Sequence, residues 1–311
     1  MMTCTTASVE CGETVAATAA VARTWLFVEQ PGPWGAKALT GSRLEHAVGR
    51  ELERLAEGTG VRVGLIRRPG RHADLHRPTR HRVYAAHTAP GADWIRTAET
   101  GDPAELTALD FAALGAGAHG GFGSAYDGPP LALVCTNGTR DRCCAVLGRP
   151  LAQELAASGG SEVWETTHLG GHRFAPTMLV LPYGYTYGRV DSHLAKGVLE
   201  AARDGRMVLD GCRGRSTWER PGQAAELVVR ALTGEDRAGA VAVTRTEGAA
   251  PSWTVRVGHL DGREWEVAVA QAASLPPRPE SCGAALGTPA RMEITRFTEV
   301  AWARGADEGR H

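Results

Sequence analysis

Two thiols and two imidazoles carry the chemistry that this sequence offers. Cys135 and Cys144 stand nine positions apart in the run CTNGTRDRCC (135–144), and about twenty residues later His168 and His172 form an H-x-x-x-H pair around Gly170 and Gly171. Thiolates donate strongly to soft and borderline metals, and neutral imidazole binds iron, zinc and copper. Two cysteines and two histidines can close a tetrahedral zinc site. They can equally divide between the irons of a [2Fe–2S] cluster. A glycine pair lets backbone approach a bulky group with no Cβ in the way, and Arg140 and Arg142 lie in the same loop to offset negative charge. Spacing leaves both metals open, with zinc favoured on geometry alone.

The four side chains can meet only if strand ends present them. Leu131–Cys135 is a short apolar run of the kind that forms a buried strand. A polar loop and a helical stretch to Ala157 follow, with Pro150 either kinking or restarting the helix. Then come a strand at Val163–Thr166, the His/Gly loop, and strands at Met178–Leu181 and Thr186–Val190 joined by a hairpin at Tyr183-Gly184. Asp191 caps a helix bearing Leu194, Val198 and Ala202, with Gly205 at its end. The order β-α-β-β-β-α is that of a thioredoxin-like domain, and both candidate loops leave the same edge of its sheet.

A second α/β unit precedes it. Strand Trp25–Val28 leads to a helix with a Ser42/Glu45 capping box and an apolar face of Leu44, Val48, Leu52 and Leu55, ended by Gly58. Strands at Val61–Ile66 and Arg82–Ala86 and another near Trp94 complete it. Downstream, a helix after Pro221 runs to Gly234. Alternating strands around Val241, Val255 and Val267 follow, with a hairpin signal at Asp261-Gly262. A Pro-rich link, Leu275–Pro279, leads to a last strand near Met292 and Ile294, and Trp253, Trp265 and Trp302 can pack this tail on the rest. The fold class is therefore α/β: a degenerate thioredoxin-like unit without a site (15–125), a thioredoxin-like cluster domain (126–215) and a helix plus β-rich extension (216–303). The glycine-rich segment 115–130 resembles an interdomain linker. Its literal G-x-G-x-x-G (Gly115, Gly117, Gly120) lacks the preceding strand and following helix of a dinucleotide site.

Among 311 residues, 34 Lys and Arg balance 35 Asp and Glu for a net charge of −1, so no global basic field exists to hold nucleic acid or an anionic membrane. No stretch approaches the ~20 apolar residues of a membrane span. The alanine-rich N-terminus has no basic n-region and carries Glu10 and Glu13, which argues against a signal peptide. Seven cysteines, an odd number, fit metal or redox chemistry in the cytosol better than a secreted disulfide framework. Cys4 and Cys11 are expected in a loose terminus, with Cys212 and Cys282 isolated. Arg67, Arg68, Arg71, Arg77, Arg80 and Arg82, with His72, His76 and His81, form a basic segment read as a solvated loop; its sharper reading is a docking patch for an acidic redox partner.

The motifs VCTNGTRDRCC, WETTHLGGHRFAPT and LPYGYTYGRV resemble the sucrase/ferredoxin-like family, which includes bacterial members and the fungal actin-patch-distal proteins. The resemblance is strong over about 130–232. It implies a thioredoxin-like [2Fe–2S] protein with a bis-histidinyl, non-Rieske cluster held by Cys135, Cys144, His168 and His172, with Cys143 as the alternative second thiolate. Members often have histidine where this chain has Asn137, which is not among the implied ligands. With two neutral imidazoles the oxidised centre sums to about zero charge, against about −2 for four cysteines, so its potential should exceed that of plant-type ferredoxins. Each imidazole has a second nitrogen to protonate, so electron transfer is expected to depend on pH.

The chain thus reads as a one-electron carrier rather than a stand-alone enzyme. A structural zinc protein and a thiol oxidoreductase are the competing readings. The latter lacks Cys-x-x-Cys, since Cys143 and Cys144 are adjacent. Sucrase activity is rejected because Glu162, Glu165 and Asp191 give no acid/nucleophile arrangement.

Overall fold

The computed structural model describes residues 3–70, 73–75, 77–159 and 162–300. A short helix, α1 (Cys4–Glu10), comes first. The first α/β unit consists of β1 (Thr24–Glu29), α2 (His46–Ala56), β2 (Val61–Arg67), β3 (His81–His87) and β4 (Trp94–Thr100). A 3-10 turn, α3 (Phe111–Gly115) and β5 (Ser124–Ala125) follow. The second unit consists of β6 (Leu131–Cys135), α4 (Arg142–Ser158), β7 (Glu162–Thr166), β8 (Thr177–Leu181), β9 (Tyr185–Gly188) and α5 (Ser192–Arg203).

The two units repeat one topology. In each, the first strand runs parallel to the strand after its crossover helix and antiparallel to the third, giving orders β2-β1-β3-β4 and β7-β6-β8-β9. This is the thioredoxin-like arrangement, present twice. The copies join edge to edge through antiparallel β2 and β7, with Ile66 opposite Thr166 and Arg67 opposite Glu165. With β10 (Cys212–Arg215) on β9 and β5 on β4, ten strands form one sheet. The glycine-rich segment expected as a linker carries β5, a two-residue strand at the outer edge of the sheet beside β4.

Strand alternation places the core. Leu26 and Val28 of β1 pack with Val48 and Leu52 of α2, whereas Trp25 and Phe27 face a cluster shared by both units that includes Ile66, Leu131, Leu133, Cys135 and Trp164. Ala132 and Val134 point the other way, toward Leu151, Leu155 and Val198 of α4 and α5. Helix α4 runs through Pro150 as one helix, without the restart allowed by sequence. Its close approach to β6 requires Gly148, where a Cβ would collide with the Cys135 carbonyl oxygen. Helix α2 corrects the expected capping box: the Ser42 hydroxyl accepts from Leu44 N, and the helix starts after Glu45 with no side-chain cap. Burial of Leu44 in the core of this unit decides the entry path over the local signal.

The extension has α6 (Arg220–Thr233) on a four-stranded antiparallel sheet of β11 (Val241–Ala249), β12 (Ser252–His259), β13 (Glu264–Ala273) and β16 (Ala290–Val300). Between β13 and β16 lie short β14 (Arg278–Pro279) and β15 (Leu286–Gly287). Trp302 lies outside the described residues, as do Arg71, His72 and His76 of the basic segment. In the rest of that segment, Arg67 pairs with Glu165, Arg68 with Glu162, and Arg80 and Arg82 with Glu99.

Glu13 ties the chain start to both later regions, accepting from Arg173 at 2.9 Å and Arg278 at 2.8 Å. Burial works against its charge, but the hydrogen bonds from Arg278 and Ser8 and the charge of Arg173 outweigh it, holding the carboxyl below its ordinary 4.5. Folded Glu13 therefore releases its proton more readily than unfolded Glu13. Its contribution is full above about pH 4.5 and drains away as pH falls through the lower folded value. Glu13→Gln is expected to lower Tm by a few degrees near neutral pH. In thermal melts the gap from wild type should narrow as pH falls below the ordinary carboxylate range.

Candidate metal centre

Four elements bring the sequence-derived residues together. Cys135 ends β6, Cys144 lies in the first turn of α4, His168 follows β7, and His172 opens a 3-10 turn before β8. Both thiols are 1% exposed, within the apolar cluster that holds Leu133 and Leu169. The thiol of Cys144 hydrogen-bonds the Cys135 sulfur, which also takes hydrogen bonds from His168 and from the Leu169 backbone. These contacts, the Cys144 hydrogen bond foremost, outweigh burial and hold Cys135 well below the usual thiol range. The same hydrogen bond, with burial and the nearby Cys135 charge, pushes Cys144 up. The two shifts run in opposite directions across one sulfur–sulfur hydrogen bond, and a metal ion bound there would displace the thiol protons.

The imidazoles of His168 and His172 stack at 4.2 Å between centroids with 18° between planes. His168 Nδ1 accepts from Gly170 N at 3.3 Å, which fixes its ring over the loop. His172 is 9% exposed, and its Nδ1 is buried with no hydrogen-bond partner. Burial, reinforced by the neighbouring His168, pulls its pKa down to about 4. At neutral pH it is therefore the uncharged ring that a metal requires. Gly171 allows this stack, with φ of +68° and a Cβ direction blocked by Arg213 and Phe174. An orphaned imidazole nitrogen on a ring stacked against His168, which itself hydrogen-bonds Cys135, fits a metal-bound group.

Two cations that feel the charge of Cys135 were not singled out by sequence. Arg62 donates to His168 O at 3.2 Å and Arg213 to Gly170 O at 2.9 Å, and each feels the charge of Cys135. The expected Arg140 and Arg142 are both exposed. Asn137 serves the loop, donating to Gly35 O at 3.1 Å and accepting from Arg140 N at 3.2 Å.

A protein-family model described as sucrase/ferredoxin-like matches residues 15–214, well over half of the chain. The chain belongs to the sucrase/ferredoxin-like family. No curated protein and no solved structure matches it. The match covers both thioredoxin-like units of this sucrase/ferredoxin-like protein and stops within β10.

Among the described residues, one group of donors lies close enough to share a single ion, and it adjoins Cys135, Cys144, His168 and His172 rather than including them. Cys4, Asp141, Cys143 and Cys282 place one ligand atom each within 4.8 Å of one another. The terminal and isolated readings of Cys4 and Cys282 are thereby corrected: Cys4 is buried in α1, and both sulfurs touch Cys143. Cys143 points to this group while Cys144 points to Cys135, so the vicinal cysteines part company. No helix among the described residues is long and apolar enough to cross a membrane.

Proposed function

We propose that this protein is an iron–sulfur electron carrier of a reducing, cytoplasmic setting, holding a [2Fe–2S] cluster through Cys135, Cys144, His168 and His172. The observation that supports the reading is the meeting of two hydrogen-bonded cysteine sulfurs and two stacked imidazoles, one with an orphaned nitrogen, beyond the C-terminal ends of the adjacent parallel strands β6 and β7. A bound cluster would supply one-electron transfer. The chain's own part is to hold two sulfurs in an apolar pocket, keep His172 neutral, and place Arg62 and Arg213 against the negative charge. His168 is half-buried, so it is the route by which protons and a partner reach the site. An acidic redox partner would dock on the basic segment 67–82, where Arg68, Arg80 and Arg82 remain accessible in their ion pairs.

The two cysteines test the assignment. Cys144→Ser is expected to lose the visible absorbance and bound iron of the purified protein, whereas Cys143→Ser keeps both. Iron retained by Cys144→Ser would count against the ligand set. Zinc in place of iron in the wild-type site would replace the reading with a structural Cys₂His₂ centre.

A further inference from the structure

We propose that Cys4, Cys143, Cys282 and Asp141 form a second metal site, a mononuclear zinc staple that fastens the chain start and the C-terminal extension to the thioredoxin-like domain. The sulfurs form a triangle with edges of 3.3 Å (Cys143–Cys282), 3.6 Å (Cys282–Cys4) and 3.7 Å (Cys4–Cys143). The Asp141 oxygens stand 3.6 and 3.7 Å from Cys4 Sγ. With Zn–S bonds of about 2.3 Å, the edge of a thiolate tetrahedron is about 3.8 Å. Two edges of the observed triangle, 3.6 and 3.7 Å, come close to that size, and the Cys143–Cys282 edge of 3.3 Å would open slightly on binding. All its edges far exceed the ~2.05 Å of a disulfide.

The donor set suits the ion. Thiolates select zinc among the common hard and borderline cations, and four protein donors make a closed, structural site with no open position for chemistry. The surroundings already orient the donors. Asp141 Oδ1 accepts from Cys143 N at 2.9 Å, and Oδ2 accepts from Cys282 N at 2.8 Å and Ser281 Oγ at 2.9 Å. The Thr5 backbone N–H donates to the Cys143 sulfur. Such outer contacts fix ligand orientation in metal sites. Loading the site releases up to three thiol protons to solvent, the carboxylate being already ionised.

The three segments come from distant parts of the chain, and Cys143 lies 139 residues from each of its sulfur partners. A metal here therefore closes two long loops. It also seats α1 on the His172 turn, where Thr5 Oγ1 donates to His172 O at 3.2 Å. The inference does not depend on the iron–sulfur reading, because its donors are a separate set.

Zinc analysis of the full chain, purified without chelators, is the test. One zinc per chain is expected, lost in Cys4→Ser/Cys282→Ser while iron content stays at the wild-type level. Should that variant fail to fold, cobalt(II) titration of Cys135→Ser/Cys144→Ser reads the second site alone. One equivalent giving tetrahedral thiolate bands is expected. Wild-type protein without zinc, zinc retained by the Cys4/Cys282 variant, cobalt bound without thiolate bands, or a Cys143–Cys282 disulfide in freshly isolated protein would each overturn the proposal.

Discussion

Arg67→Ala is expected to destabilise the protein by about 3–5 kcal/mol, because it strips a buried carboxylate of its counter-charge. Arg67 and Glu165 are 2% and 1% exposed and face each other across the β2–β7 seam, with Nε and Nη2 at 2.8 and 2.6 Å from Oε2. Arg67 also pairs with Asp74 and lies over the Trp34 ring at 4.2 Å. Without the guanidinium, the Thr136 hydroxyl at 2.9 Å is the remaining donor to Glu165. Thr136 directly follows Cys135, so this hydrogen bond links the seam to the candidate site. Urea unfolding measures it. The double variant Arg67→Met/Glu165→Leu should recover most of the loss, since replacing a whole buried pair by apolar groups is close to neutral. A cost for Arg67→Ala below about 1 kcal/mol would show that water reaches Glu165.

His168→Cys/His172→Cys is expected to lower the midpoint potential by a few hundred millivolts, roughly the gap between bis-histidine and all-cysteine centres. Two neutral ligands become two anions, which disfavours adding an electron. The same change removes both imidazoles, so the pH dependence of the potential between about pH 6 and 10 should vanish with it. Redox titration of wild type and variant across that range reads both effects. A variant with iron bound, an unchanged midpoint and the wild-type pH slope would mean that the histidines are not ligands.

Much of this was legible because it is local. The short apolar run Leu131–Cys135 made a buried strand, and Asp191 caps α5 as expected, accepting from Leu194 N at 2.8 Å. The thiol and imidazole pairs were found because each sits within one loop or turn. What stayed hidden is long-range. The two thioredoxin-like units were legible from element order, but their edge-to-edge joining through β2 and β7 was not. Cys4 and Cys282 looked idle because their partner, Cys143, is equally remote from both. The vicinal cysteines, with Asp141 at the helix start, were the one local hint that a second thiol had another use. The Ser42 capping signal failed for the opposite reason, a sound local pattern overruled by the burial of Leu44.

The most direct measurement is iron and labile-sulfide analysis of anaerobically purified protein, with EPR of the reduced form. About two irons and two sulfides per chain, with a single-electron signal on reduction that shows nitrogen coupling, are expected. Protein free of iron and sulfide, or a signal unchanged when Cys135, Cys144, His168 and His172 are replaced, would contradict the account.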